Sequence, residues 1–218
     1  MRKTAIGATA AVAILAGLVA AGPAAPAPAT SASAASAEKK ATKTASVHGK
    51  ARVSYIESID DDIRFTIDAE QTPFTRPVPP RAPEGLSTDA RGTLKFSHTS
   101  RSGAAGWAEA RVDCLVTSGR TATLTAVVTK SNVEEVGARL GISVQQGGKG
   151  EPDRLGFSWG VVNVDPEHVD ESGQPVRPQA GTCMAPAPFT TVIRGGFEVV
   201  HAEITKSPAQ PEAPIRRG

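Results

Sequence analysis

Apolar and polar positions alternate with a period of two along most of the chain between residues 51 and 206. In RTATLTAVVT the positions Ala122, Leu124, Ala126 and Val128 fall on one face, and Thr121, Thr123, Thr125 and Thr129 on the other. In WAEARVDCLV the apolar phase runs Ala108, Ala110, Val112, Cys114 and Val116, with Glu109, Arg111 and Asp113 opposite. Strict alternation predicts half-buried strands, and the TSGR turn with Gly119 joins these two as an antiparallel hairpin. The same pattern predicts strands over Arg52–Glu57, Ile63–Glu70, Gly92–His98, Leu140–Gln146, Leu155–Val164 and Ile193–Ile204, about eight in all. A capping box at Ser131 and Glu134 is the one helical signal, and it supports about one turn. Short strands between Gly and Pro loops point to an all-β fold, an antiparallel β-sandwich first and a closed β-barrel second.

Outside these limits the pattern disappears. Arg2 and Lys3, the Ala-rich stretch Ala5–Ala21 and the small residues after it are laid out as a secretory signal and cleavage region over residues 1–37. Residues 38–50 are expected to be a disordered lead-in and 207–218 a disordered Pro-rich tail, because neither carries enough apolar surface to offset its ordering entropy. The folded domain is expected over 51–206. TPFTRPVPPRAPEG reads as a long surface loop stiffened by five prolines. No hydrophobic anchor remains once the signal is cleaved, so the expected product is a released extracellular protein.

Charge narrows the function classes. Between residues 51 and 207 there are 16 Lys and Arg against 20 Asp and Glu, a net of −4. A nucleic-acid binder carries a basic stripe on its folded part, so nucleic acid is not an expected partner. The expected partners are a cell-wall glycan or another extracellular protein. Two cysteines in a secreted chain predict one disulfide, Cys114–Cys183, and the apolar phase of Cys114 suggests a bridge crossing the core between two sheets.

Candidate chemistry is sparse. IDDDIRFTIDAE holds five carboxylates in twelve residues. Asp60, Asp61 and Asp62 sit at the turn before a strand, where Asp is common because its side chain bonds the local backbone. Adjacent Asp oxygens also suit a hard cation, so Ca2+ at these three is the metal candidate, although no D-x-D-x-D-G loop is present. LGFSWG matches G-x-S-x-G at Ser158, with Asp170 and His201 following in hydrolase order. The elbow needs a strand, a tight turn and a helix, whereas here more strand pattern follows. Glu109 with Asp113, or Asp165 with Glu167, are the carboxylate pairs a glycosidase would use. Four histidines without H-x-H or H-E-x-x-H spacing argue against zinc. Trp107, at a strand start, is the one plausible stacking platform for a sugar.

Taken together, IRFTIDA, GTLKFSH, VDCLVTSGRTATLTAVV, DRLGFSWG, and CMAPAPF followed by GGFEVVHAEI resemble a group of secreted proteins from high-GC Gram-positive bacteria, some called repetin-like. The resemblance covers roughly residues 53–204. The hairpin is also similar to a wider set of extracellular β-modules, with Ala126 where those often have Gly. What the resemblance implies is a secreted β-rich protein, with no catalytic or binding residues to carry over. The expected function is therefore a non-catalytic binding or envelope-associated β-module. The alternatives are an extracellular hydrolase acting on a polymer through a carboxylate pair or Ser158, and a calcium-dependent module.

Overall fold

The computed structural model describes residues 43–161, 169–174 and 180–207. Eight strands follow one another as a meander: β1 (Ser46–Ser54), β2 (Asp62–Gln71), β3 (Ala90–Thr99), β4 (Ala105–Ser118), β5 (Thr121–Ser131), β6 (Arg139–Gln145), β7 (Arg154–Phe157) and β8 (Thr190–Val200). Each pairs antiparallel with its chain neighbours, and β8 returns to pair with β1 from Ser46↔Val200 to Ser54↔Thr191. The sheet is thus a closed barrel rather than a two-sheet sandwich. Closure removes the unpaired edges that a sandwich would leave. The thinnest seam is β7 with β8, where only Arg154↔Thr191 and Leu155↔Thr190 pair.

Inward positions fill the barrel with Val47, Val53, Phe65, Ile67, Leu94, Val112, Leu115, Leu124, Val128, Ile142, Val144 and Leu155, all almost fully buried. An eight-stranded barrel is just wide enough for its own side chains. Burying each of these contributes roughly 1.5–3 kcal/mol before entropy is counted. One end is closed by aromatic rings. Trp159 lies 4.6 Å from Phe96 and 4.9 Å from Phe157 between ring centres, with Phe65, Tyr55 and Phe189 behind. The predicted strand over Leu155–Val164 therefore stops at Phe157. Ser158–Gly160 form a 3-10 turn that swings Trp159 over the barrel end, and Val162–Val164 lie outside the described residues.

The lead-in is shorter than the sequence suggests. β1 begins at Ser46, inside the stretch expected to be disordered, with Ala45 and Val47 fully buried. Its apolar signal is weak because the inward position between Val47 and Ala51 is Gly49. A Cβ there would meet Phe197 Cα at 2.8 Å, so the core at this level is supplied by Phe197 from β8. Residues 1–42 and 208–218, which include the signal region and the tail, lie outside the described residues. Ser131 makes its half of the capping box, its Oγ accepting from the backbone N–H of Val133 and Glu134, but no helix follows.

The largest departure is in β4. Its register with β5 runs Val112↔Ala126 and then Cys114↔Thr125, leaving Asp113 as an extra residue in a bulge. A bulge reverses the inward and outward phase beyond it. Leu115 and Thr117 turn inward, while Cys114 faces outward beside Thr125. Both Cys114 and Thr125 are nonetheless fully buried, because the segment 181–189 crosses the outer wall here. Cys114–Cys183 is formed, with 5.4 Å between Cα atoms. It ties that segment to the outside of the barrel rather than crossing a core between sheets.

Candidate functional site

Two long connections cover the outer wall on either side of the β4 bulge. The first, residues 72–89, is organised by one carboxylate. Asp89 is 1 % exposed, and its Oδ2 accepts from the backbone N–H of Thr75, Arg76 and Leu86 at 3.1, 2.8 and 3.0 Å. Asp89 also bridges to Cys114, and Leu115 N–H donates to Thr88 carbonyl. The predicted plain loop is therefore a fixed wall. Arg76, which it carries, donates to the Asp113 carbonyl and lies 3.5 Å from Asp89 Oδ1.

The second connection is held by polar contacts around the disulfide. Thr125 Oγ1 donates to Asp113 Oδ1 at 2.5 Å and accepts from Cys183 N–H at 3.2 Å. Arg139 Nε donates to Asp113 Oδ2 at 2.9 Å, and Ser143 Oγ donates to Pro186 carbonyl. A Cβ at Gly141 would collide with the carbonyl of Met184, and one at Gly156 with that of Ala187. These glycines exist so that the segment can lie against the strands.

Pairing of β3 with β4 ends at Thr93↔Arg111, and beyond it the strands part. The space between them, walled by Thr72, Thr75 and Arg76, is an open groove of about 700 Å³. Arg76, Arg91, Lys95 and Arg111 line it, and Glu109 is the one acidic residue that does. No aromatic side chain lines it. Lys95 Nζ donates to Glu109 at 2.8 Å, which holds that carboxyl below the usual carboxylate range. Arg91 donates to Glu70 at 2.7 Å, and that bond raises its already high pKa. The side chain of Arg111, exposed in the middle of β4, has no hydrogen bond or ion pair with any described residue. In a domain with net charge −4, this groove concentrates positive charge.

The residues singled out from sequence do not converge. Asp61 accepts from Arg101 N–H, and its Oδ2 lies 2.6 Å from His98 Nε2. The hydrogen bond with His98 is the main cause that lowers its pKa. Asp60 pairs with Arg101, and Asp62 with Arg52 and Arg64. Asp60 and Asp62 are thus paired with arginines and Asp61 with His98, and no group of three or more metal-ligating side chains occurs among the described residues. Ser158 Oγ accepts from Gly141 N–H, His201 Nδ1 lies 3.1 Å from Thr117 Oγ1, and Asp170 caps its own turn through Ser172 and Gln174. The three have separate partners and the elbow is not formed. Glu109 is spent on Lys95 and Asp113 on Thr125 and Arg139, while Asp165 and Glu167 lie outside the described residues. Trp107 is 40 % exposed at the start of β4, its backbone held by Asn132 and Ser131.

Sequence reading missed the groove because its cations come from three places in the chain. Arg91 and Lys95 share an alternating strand face, Arg111 lies across from Thr93, and Arg76 sits in a loop whose fold depends on Asp89. The overall negative charge hid them. No protein family, curated protein or solved structure matches this chain.

Proposed function

We propose that this protein is a non-catalytic extracellular binding module that takes an anionic ligand in the groove between β3 and β4. The observation that carries the reading is Arg111, an exposed guanidinium without a partner among the described residues, set among Arg76, Arg91 and Lys95. Arg presents a planar fork of donors that matches carboxylate and phosphate oxygens. The barrel interior is occupied by its own side chains, which leaves the outer wall as the place for a ligand. The Asp89 cluster fixes the 72–89 segment that walls the groove, so the groove is preformed and binding costs little ordering entropy. The Cys114–Cys183 disulfide fits an oxidising compartment. The anionic polymers of a cell envelope are the ligand source that agrees with the expected export.

The test is cosedimentation of the oxidised protein with isolated cell walls at low and at physiological salt. Retention is expected to fall at least tenfold in Arg111→Glu and to stay unchanged in Trp107→Ala. Loss in Trp107→Ala with Arg111→Glu unaffected would move the site to the start of β4 and end this reading. Labelling of Ser158 by a fluorophosphonate probe would instead revive the hydrolase alternative.

A further inference from the structure

Resting on that reading, we infer that the groove takes a linear phosphodiester chain whose charges are six backbone bonds apart, as in a polyol phosphate. The reason is the spacing of its cations. Arg91, Thr93 and Lys95 are successive outward positions of β3, and Arg111 lies directly across from Thr93. The backbone positions of Arg91, Arg111 and Lys95 therefore stand at three successive levels along the strand, Arg91 bonded to Glu70 and Lys95 to Glu109 across from them. Two strand residues span about 6.7 Å, so the levels follow one another at that interval.

A ligand that meets all three must carry its anions at the same interval. An extended peptide covers about 3.3–3.6 Å per residue with three backbone bonds, so it matches only if every second residue is acidic, whereas a phosphodiester chain carries the interval in every repeat. A glycerol phosphodiester repeat has six bonds from one phosphorus to the next, and by the same geometry spans about 7 Å. The match arises because two residues of a strand also comprise six backbone bonds. Nucleic-acid backbones share this six-bond repeat, but proteins that hold single strands add aromatic platforms for the bases, and none lines this groove. Arg111 meets a phosphate without giving up another bond. At Arg91 and Lys95 the ligand competes with exposed carboxylate pairs, which are weak in water.

The experiment is calorimetric titration of the oxidised protein with a glycerol-phosphate pentamer, with glycerol 1-phosphate, with an oligouronate and with oligothymidylate, each across a salt series. The pentamer is expected to bind at least tenfold tighter per phosphate than the monomer. Its affinity should fall with salt at a log–log slope of about −2, the value for three phosphates on a flexible chain. Arg111→Ala should weaken the pentamer about tenfold or more and shallow that slope to about −1.4; the side chain is exposed and unpartnered, so the fold is unaffected. Equal binding of pentamer and monomer would overturn the row of three levels. Preference for oligouronate or oligothymidylate, still dependent on Arg111, would overturn the phosphodiester chain while the anion-binding reading stands. No Arg111-dependent binding of any of the four would end both.

Discussion

The inside and the outside of this barrel are built on different physical rules. Inside, Leu124, Ile142, Val144 and Leu155 are interchangeable in kind: each is apolar, buried and placed by a period of two. Outside, around the β4 bulge, the same strands carry Asp113, Thr125 and Ser143, equally buried but polar and hydrogen-bonded one by one, beside the disulfide of Cys114. The inner layer holds through area removed from water. The outer layer holds through specific pairings, because a buried carboxylate without partners is costly. The inner layer makes the fold and leaves no room for a ligand. The outer layer fixes two covering segments, one of which, residues 72–89, walls the basic groove between β3 and β4.

That contrast can be broken by removing one element at a time. The largest effect is expected from the disulfide. Replacing Cys114 and Cys183 by Ala should lower unfolding stability by about 4 kcal/mol, from the loop-entropy relation for a 69-residue separation. The barrel's far-ultraviolet circular dichroism should persist at 25 °C while residues 181–189 become protease-sensitive; loss of the whole fold would mean the outer layer is part of the core. Next, Leu124→Ala should cost about 3 kcal/mol in chemical denaturation, within the range for buried Leu, and leave anion binding unchanged. A parallel loss of binding would contradict the separation of the layers.

A smaller loss, about 2 kcal/mol, is expected for Asp113→Ala. It strands Thr125 and Arg139, but Arg139 is about one-third exposed and water relieves part of the penalty. Anion binding should survive it, because Arg76 at the groove wall donates to the backbone carbonyl of residue 113, which the substitution keeps. The smallest effect is at Asp61. Its pKa is lowered in the folded protein, chiefly by its bond with His98, so its contribution is present above the ordinary carboxylate pKa of about 3.9. That contribution is lost as the pH falls through the depressed value. Asp61→Asn should therefore flatten the acid limb of stability below about pH 4 and lower the melting temperature slightly from pH 4.5 to 6, where the contribution of the ionised carboxylate is fully present. Restored stability on adding millimolar calcium to the wild type in EDTA, absent in Asp61→Asn, would show instead that the Asp run holds a metal.

Much of the barrel was readable because one face of each strand has a single requirement. The β4–β5 hairpin, with Gly119 at its turn, follows directly from alternation in the two runs. β1 was only half readable, since Gly49 stands where an apolar residue would have signalled it. Sandwich and barrel share the same strand pattern, and the choice depended on whether β8 reaches β1. The phase of Cys114 was misread for a subtler reason. A bulge adds one residue without any mark in the local sequence, and one added residue turns every later side chain to the other face. Alternation alone places Arg111 on the outward face, yet nothing in its neighbours tells that its side chain lacks a partner.

By itself, then, the sequence determined most of the strands, their polar and apolar faces up to the β4 bulge and the pairing of its two cysteines, because burial acts on each side chain through its own chemistry. Closure into a barrel, the outward turn of Cys114 and the gathering of Arg76, Arg91, Lys95 and Arg111 around one groove were decided only in three dimensions. Those features depend on which distant segments meet, and a register shift of one residue is enough to change all of them.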